Sequence, residues 1–510
     1  MLLNNNEEKK SVLLGTASLA VSALAVKIIG VLYKVPLSYM LGDEGLGYYN
    51  TAYTVYAFLY IAFASGLPKA VLMLISREEQ SRDAIVGYLV KVVSLISFVI
   101  SALFCAFSPL LSRLLGNGGA WASFVSISPC IFFVSVCGIF RGWFNYKLEL
   151  VPISVSQTAE ALCKLIFGMI FAYIGLAAGL KSEYVSALTI LGITIGSLIS
   201  VLYLKLLYNH KTGDKQRQNC DFDKRAVLKQ MLLYSLPITL GAASLSFSYL
   251  LEMLLIYRYC KGIGLNEVEA SAVFGNYSTL VQPMITLGIS LITPLCVSGI
   301  ALMRKRYLES NLTEFYGRLR LLILLCVSVS APLCMLYCIY PLETLDFIFK
   351  FEQAQRGCFY LMAMAPCLVF LSVQTALNTG LEAQGRLKAC LVSQLTSAGI
   401  KTLCSLILFA FCRIGIYSVI IGALVGDLFG SVLSCRFIGM GAYEILEIIL
   451  KPLVLSLIAI LCPKILVFGS LDSVPFLVVG IISAFLYILL TVLCNIKEVK
   501  RLGKLSKCTK

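Results

Sequence analysis

Apolar residues in this chain come in long unbroken runs, and polar residues in short clusters between them. Most runs reach roughly twenty residues or more, the length at which a helix crosses ~30 Å of hydrocarbon. We place spans at residues 11–40, 47–75, 85–111, 121–145, 151–178, 184–208, 229–258, 274–303, 315–340, 356–383, 388–412, 415–440, 448–468 and 474–495. The runs do not alternate apolar and polar residues at period two, which argues against a transmembrane β-barrel. The pattern predicts an all-α polytopic membrane protein with about fourteen transmembrane helices. The first run follows Glu7-Glu8-Lys9-Lys10 and lacks a short apolar core with a small-residue cleavage site, so it reads as a retained helix and not a signal peptide.

The polar clusters carry a second pattern. Lys and Arg concentrate in alternate loops: Arg77 and Arg82, Arg141 and Lys147, the 209–229 segment, Arg304 to Arg306, and the tail from Lys497. Positive charge is retained on the cytoplasmic side of a membrane, so both termini are expected there and the helix count is expected to be even. The longest polar segment divides the chain into an N-terminal six-helix lobe (1–208), a cytoplasmic linker (209–228), a C-terminal six-helix lobe (229–440) and two extra helices with a basic tail (441–510). A short repeat supports the division. Val155-Ser156-Gln157 precedes Lys164 by the same interval at which Val392-Ser393-Gln394 precedes Lys401. These runs open the fifth and eleventh spans, after the turns expected at Arg141-Gly142 and Gly385-Arg386. The two halves therefore insert with the same orientation, as a parallel, pseudo-symmetric repeat.

Composition narrows the function class. With 59% hydrophobic and 14% charged residues and a mean hydropathy of +0.88, the chain is far from the ~25% charged residues of soluble domains. The net charge of +15 follows the loops and so reports orientation, not nucleic-acid binding. None of the 19 cysteines forms a C-x-x-C pair, and most lie in apolar runs, where a free thiol behaves as a small hydrophobe. The single histidine, His210, lies in a polar loop. There is no P-loop, H-E-x-x-H or G-x-S-x-G motif, so the chain is not expected to be an enzyme or to hydrolyse ATP itself. No cofactor is implied beyond a coupling proton or monovalent cation.

The informative residues are charges inside apolar runs, each of which costs at least ~2.5 kcal/mol near the bilayer centre. Lys27 and Lys34 lie two turns apart on one helix face, with Pro36 expected to bend that helix and the Gly42 to Gly47 turn to return the chain. Lys164 and Lys401 each stand thirteen residues into their spans, roughly 20 Å deep. Glu160, Glu252 and Asp427 are the carboxylates set against them. Glu160 has the (i, i+4) spacing for a helical ion pair with Lys164, whereas Ser397 stands at the equivalent place before Lys401. Surplus ammonium groups suit an anion, and diphosphate is the abundant anion on membrane lipids; Glu252 or Asp427 suits a coupling cation or a paired core site.

Four stretches carry a family resemblance. Lys27 and Lys34 precede Leu41-Gly42-Asp43-Glu44-Gly45-Leu46-Gly47; Phe140-Arg141-Gly142-Trp143-Phe144 follows the fourth span; Tyr234-Ser235-Leu236-Pro237-Ile238-Thr239-Leu240-Gly241 opens the seventh; and Leu381-Glu382-Ala383-Gln384-Gly385-Arg386 follows the tenth. In this order the chain resembles, over essentially its full length, the bacterial stage V sporulation protein B and lipid II flippase group of the multidrug/oligosaccharidyl-lipid/polysaccharide (MOP) exporter superfamily. The resemblance implies two six-helix lobes, alternating access, and export of a polyprenyl-diphosphate-linked oligosaccharide or peptidoglycan precursor from the cytoplasmic to the outer leaflet of the bacterial cytoplasmic membrane. It implies that Lys27 and Lys34 stand where the family has functional arginines, that Asp43 is an acidic gating or coupling residue, that Glu252 loosely matches another, and that residues 448–495 form a groove for the lipid tail. Lysine grips a diphosphate as a point charge, unlike the bidentate arginine fork. Expected partners are a lipid-linked glycan or muropeptide, membrane lipids and envelope-synthesis proteins, with no nucleic acid. The rival expectations are an ion-coupled multidrug exporter of the same fold and a non-transporting scaffold of an envelope-synthesis complex.

Overall fold

The computed structural model describes residues 6–76, 82–212, 222–349, 351–412, 414–466 and 476–494. They form helices α1 (Asn6–Ile75), α2 (Arg82–Ala106), α3 (Ser108–Leu114), α4 (Trp121–Tyr146), α5 (Leu150–Ala177), α6 (Ser182–Thr212), α7 (Lys224–Gly262) and α8 (Glu267–Asn276). After a π turn at Tyr277–Val281 come α9 (Gln282–Leu308), α10 (Leu312–Ile339), α11 (Pro341–Asp346), α12 (Phe351–Gln384), α13 (Leu387–Phe411), α14 (Ile416–Ile438), α15 (Ala442–Leu466) and α16 (Phe476–Cys494). The described residues contain no strand, as the unbroken apolar runs require. Each of the fourteen expected spans overlaps a helix over its described residues, but fourteen crossings are not counted. Among the described residues, eleven helical stretches are long and apolar enough to cross a membrane.

The first two expected spans are the two arms of α1. The break lies at Gly42 (φ 64°, ψ −179°), a backbone conformation closed to side chains with a Cβ. Pro36, expected to bend the helix, stays within it, as membrane helices permit. Side chains of Asp223, Asn266 and Asn311 cap α7, α8 and α10, satisfying the amides that each helix start leaves open. His210, expected in a loop, lies in the last turn of α6.

Packing groups the chain into two compact units, Met1–Thr279 with Phe409–Gly415, and Leu280–Leu408 with Ile416–Lys510. The division falls inside the π turn, so α7 and α8 pack with α1. A buried amide explains part of this grouping: Asn117 Nδ2 lies 3.0 Å from Thr51 Oγ1, 2.8 Å from the Tyr257 hydroxyl and 3.2 Å from Ser271 Oγ. Residues 213–221 of the expected linker lie outside the described residues.

Each unit contains the same helix pair. In the first, a Cβ added at Gly196 on α6 would come 2.7 Å from the Glu160 carbonyl oxygen of α5, and one at Gly192 3.1 Å from that of Lys164. In the second, Gly426 and Gly422 on α14 stand 2.7 Å by the same measure from the Ser397 and Lys401 carbonyl oxygens of α13. Small residues four apart let two membrane helices approach until their backbones touch. Lys164 and Lys401 also stand equally far from the starts of α5 and α13. The sequence repeat is thus a repeat of packing.

The first unit also holds a buried ion pair that the sequence pattern assigned differently. Arg141, expected in a cytoplasmic turn, lies inside α4, because the chain turns only at Lys147–Glu149, where Leu148 takes φ 58°. Its Nη2 donates to Glu160 Oε2 at 3.0 Å and to Ser200 Oγ at 3.2 Å, and its Nη1 to the Tyr60 hydroxyl at 3.3 Å. Ser197 Oγ donates to the other Glu160 oxygen at 3.2 Å. The side chains are 5% and 14% exposed, so the pair is largely out of solvent.

Two outcomes follow for stability. Gly196→Val should force α5 from α6 and cost about 1–3 kcal/mol, lowering the unfolding temperature of the detergent-solubilised protein. Gly87→Ala, whose Cβ meets nothing within 4 Å, should leave it unchanged. Arg141→Ala strands Glu160 and should cost about 3–5 kcal/mol; the double substitution Arg141→Met with Glu160→Leu should recover most of that in the same thermal assay.

Candidate functional site

The two arms of α1, together with α5 and the π turn, bring two lysines to one place in the first unit. Lys34, on the first arm, donates from Nζ to the Ser278 carbonyl oxygen at 2.7 Å. A π turn widens the helical repeat and loosens its i→i+4 ladder, and such turns recur at functional sites; here a carbonyl of the turn accepts a side chain. Asn50, on the second arm, donates to Thr279 Oγ1 at 2.8 Å and fixes the neighbouring residue. Lys164, on α5, holds its ammonium 4.3 Å from the ring centroid of Tyr53 and 5.3 Å from that of Tyr33. Tyr49 stacks on Tyr53 at 5.9 Å and meets Tyr33 at 6.2 Å.

Lys34 and Lys164 lie within Coulombic range of each other. Neither forms an ion pair with a carboxylate among the described residues. The (i, i+4) pair that the spacing permits between Glu160 and Lys164 does not form, because Glu160 is held by Arg141 and Ser197. What holds each ammonium is neutral: a carbonyl dipole for Lys34 and aromatic faces for Lys164. The arrangement leaves both amines without a neutralising carboxylate among the described residues. An anionic group arriving there gains on the order of 4 kcal/mol per close charge pair at an effective dielectric of ~20.

The other expected residues are placed as follows. Lys27 lies on the first arm of α1, and its side chain is outside the described ones. Asp43 follows the Gly42 break; its carbonyl oxygen packs against Gly275 of α8, while neighbouring Glu44 accepts from the Tyr48 hydroxyl at 2.7 Å. Glu252 is buried on α7, at 2% exposure. Lys401, at 8% exposure on α13, and Asp427, on α14, belong to the second unit, where Ser431 Oγ donates to the Asp427 carbonyl oxygen. No group of three metal-ligating side chains occurs among the described residues. The structure therefore brings together Lys34 and Lys164. It adds Tyr33, Tyr53 and Ser278, which the sequence pattern passed over, and Arg141, which that pattern put in a turn. One signal was available: Tyr49, Tyr53, Tyr56 and Tyr60 recur at helical spacing, and their rings form a continuous ladder from the Lys164 ammonium to the Arg141 guanidinium.

Comparison with known proteins shows the family and the fold. Residues 12–298, more than half of the chain, match the family described as polysaccharide biosynthesis protein. Stage V sporulation protein B of Bacillus subtilis (strain 168) is 21% identical over 403 residues, covering 77% of each chain. The uncharacterized membrane protein YabM of the same organism is 24% identical over 334 residues, covering 63% of this chain and 62% of that protein. Among solved structures, the lipid II flippase MurJ in an inward closed conformation superposes with a TM-score of 0.70 at 15% identity, covering 94% of this chain and 99% of that one. An inward-facing multidrug resistance MATE family transporter of the MOP superfamily does so at 0.65 and 16% identity, covering 84% and 95%. The chain therefore belongs to the polysaccharide biosynthesis protein family, as a multi-pass membrane protein with the fold of the MOP-superfamily flippases and exporters.

Proposed function

We propose that this protein is a flippase for a polyprenyl-diphosphate-linked oligosaccharide or peptidoglycan precursor, which it moves from the cytoplasmic to the outer leaflet by alternating access. The observation that carries the reading is the pair of uncompensated ammonium groups, Lys34 and Lys164, on adjoining helices inside an apolar bundle. A diphosphate is the membrane-anchored group whose charge matches them. The similarity to a sporulation protein and the fold shared with a lipid II flippase support a substrate of the same class. In this reading the chain sits in the bacterial cytoplasmic membrane with both termini in the cytoplasm, where the alternating loop charge puts them. Lys27 and Lys401 join the site on the sequence pattern, Asp43 serves the gate, and the lipid tail follows residues 448–495. The protein performs no bond chemistry of its own; it supplies a path and a polar site.

Glu252 supports a second element. A carboxylate at 2% exposure on a membrane helix suits a coupling proton or monovalent cation. The same residue is what an ion-coupled exporter of smaller molecules would use, and the MATE-like fold agrees with that rival.

Lipid II translocation by the purified full-length protein in liposomes separates the readings. Lys34→Ala and Lys164→Ala should each lower the rate at least about tenfold, the worth of one charge-assisted contact. Wild-type rates in both would overturn the flippase reading. Drug export that survives both lysine substitutions and is abolished by Glu252→Gln is the result the exporter predicts.

A further inference from the structure

Lys164 poses a question that its charge alone does not answer. A lone ammonium among membrane helices ordinarily recruits a carboxylate, and Glu160 stands one turn away on the same helix at the right spacing. Yet Arg141 and Ser197 occupy both oxygens of Glu160. The Lys164 ammonium turns instead to two tyrosines of α1, Tyr53 at 4.3 Å and Tyr33 at 5.3 Å from the ring centroids.

Three further features fix those rings. Tyr49, itself fully buried, stacks on Tyr53 with 10° between the planes, which sets the tilt of the Tyr53 ring. Gly168, one turn beyond Lys164, leaves room for the Tyr33 ring against α5; a Cβ there would come 2.5 Å from the Tyr33 hydroxyl. Tyr33 precedes Lys34 in the chain, so the residue that faces one ammonium is covalently joined to the residue that carries the other. The consequence is chemical. An aromatic face attracts a cation through its quadrupole and carries no net charge, so it holds Lys164 in place and leaves the positive charge to an incoming anion. A carboxylate in the same place would hold the lysine equally well and compete with that anion.

We propose that Tyr53, seconded by Tyr33, is a positioning residue of the anion site: its ring face fixes the Lys164 ammonium beside Lys34 without neutralising it, so that the pair receives a diphosphate. This rests on the reading of Lys34 and Lys164 as the substrate's anion site and adds the groups that keep the site charged and ordered.

The test replaces Tyr53 by Phe and then by mono-, di- and trifluorinated phenylalanine in the full-length protein. Fluorine drains the ring quadrupole while nearly preserving its shape. Binding of radiolabelled farnesyl diphosphate is measured in nanodiscs, and the unfolding temperature of the unliganded protein is measured in parallel. Tyr53→Phe should bind within about twofold of wild type, and each added fluorine should weaken binding, reaching roughly tenfold at three fluorines, with an unchanged unfolding temperature. A purely structural ring would give a flat affinity series, or one that falls only in step with the unfolding temperature; either result overturns the positioning role. Lys34→Ala and Lys164→Ala serve as reference arms. If both lose binding while the fluorine series is flat, the anion site stands and the role of Tyr53 fails. If both bind like wild type, the anion site itself fails.

Discussion

A lysine ammonium among helices in hydrocarbon is tolerated when something near it offsets the loss of water, and the choice of partner decides what the charge can do afterwards. A carboxylate neutralises it and closes the account of charge locally. A carbonyl oxygen or an aromatic face stabilises it and leaves its field available. In this protein Lys34 has the first kind of neutral partner, at Ser278, and Lys164 has the second, at Tyr53 and Tyr33. Glu160, the carboxylate one turn from Lys164 on the same helix, is engaged by Arg141. An anion-binding function depends on that arrangement more than on the number of basic residues in the chain.

The fold makes the arrangement by bringing backbones unusually close. Gly192 and Gly196 let α6 touch α5 at the carbonyls of Lys164 and Glu160, which sets the height and rotation of both side chains. The Gly42 break lets the second arm of α1 present Tyr49, Asn50 and Tyr53 to the same region that the first arm supplies with Tyr33 and Lys34. The π turn supplies the carbonyl for Lys34, and the division between the two compact units runs through that same turn. Occupancy of Lys34 by a ligand would bear directly on that contact of the turn.

Much of this was readable in the chain. The apolar runs gave the all-α membrane class, and Ser156-Gln157 to Lys164 against Ser393-Gln394 to Lys401 gave a repeat that reappears as matched glycine contacts. The offset of Lys164 from the start of its span placed it well inside α5. What could not be read was partner choice. Spacing along one helix allowed a Glu160–Lys164 pair, whereas a residue on another helix, Arg141, takes Glu160, and no local pattern reports a contact across helices. Arg141 was itself misplaced because an Arg-Gly pair reads as a turn, although Phe140, Trp143 and Phe144 around it are buried and the helix runs on to Tyr146. At the end of the first arm the chain breaks where a left-handed φ is needed, and Gly42 meets that need cheaply.

The most direct test of the account is the distance from phosphorus to the two lysine nitrogens. Solid-state NMR of protein carrying 15N-labelled lysine side chains in lipid, with a bound polyprenyl diphosphate, reports 31P–15N dipolar couplings from groups within about 4 Å, the range of a charge-assisted contact. A diphosphate held by both side chains gives two coupled nitrogens, one lost in Lys34→Ala and the other in Lys164→Ala. A bound diphosphate coupled to neither nitrogen would contradict the account.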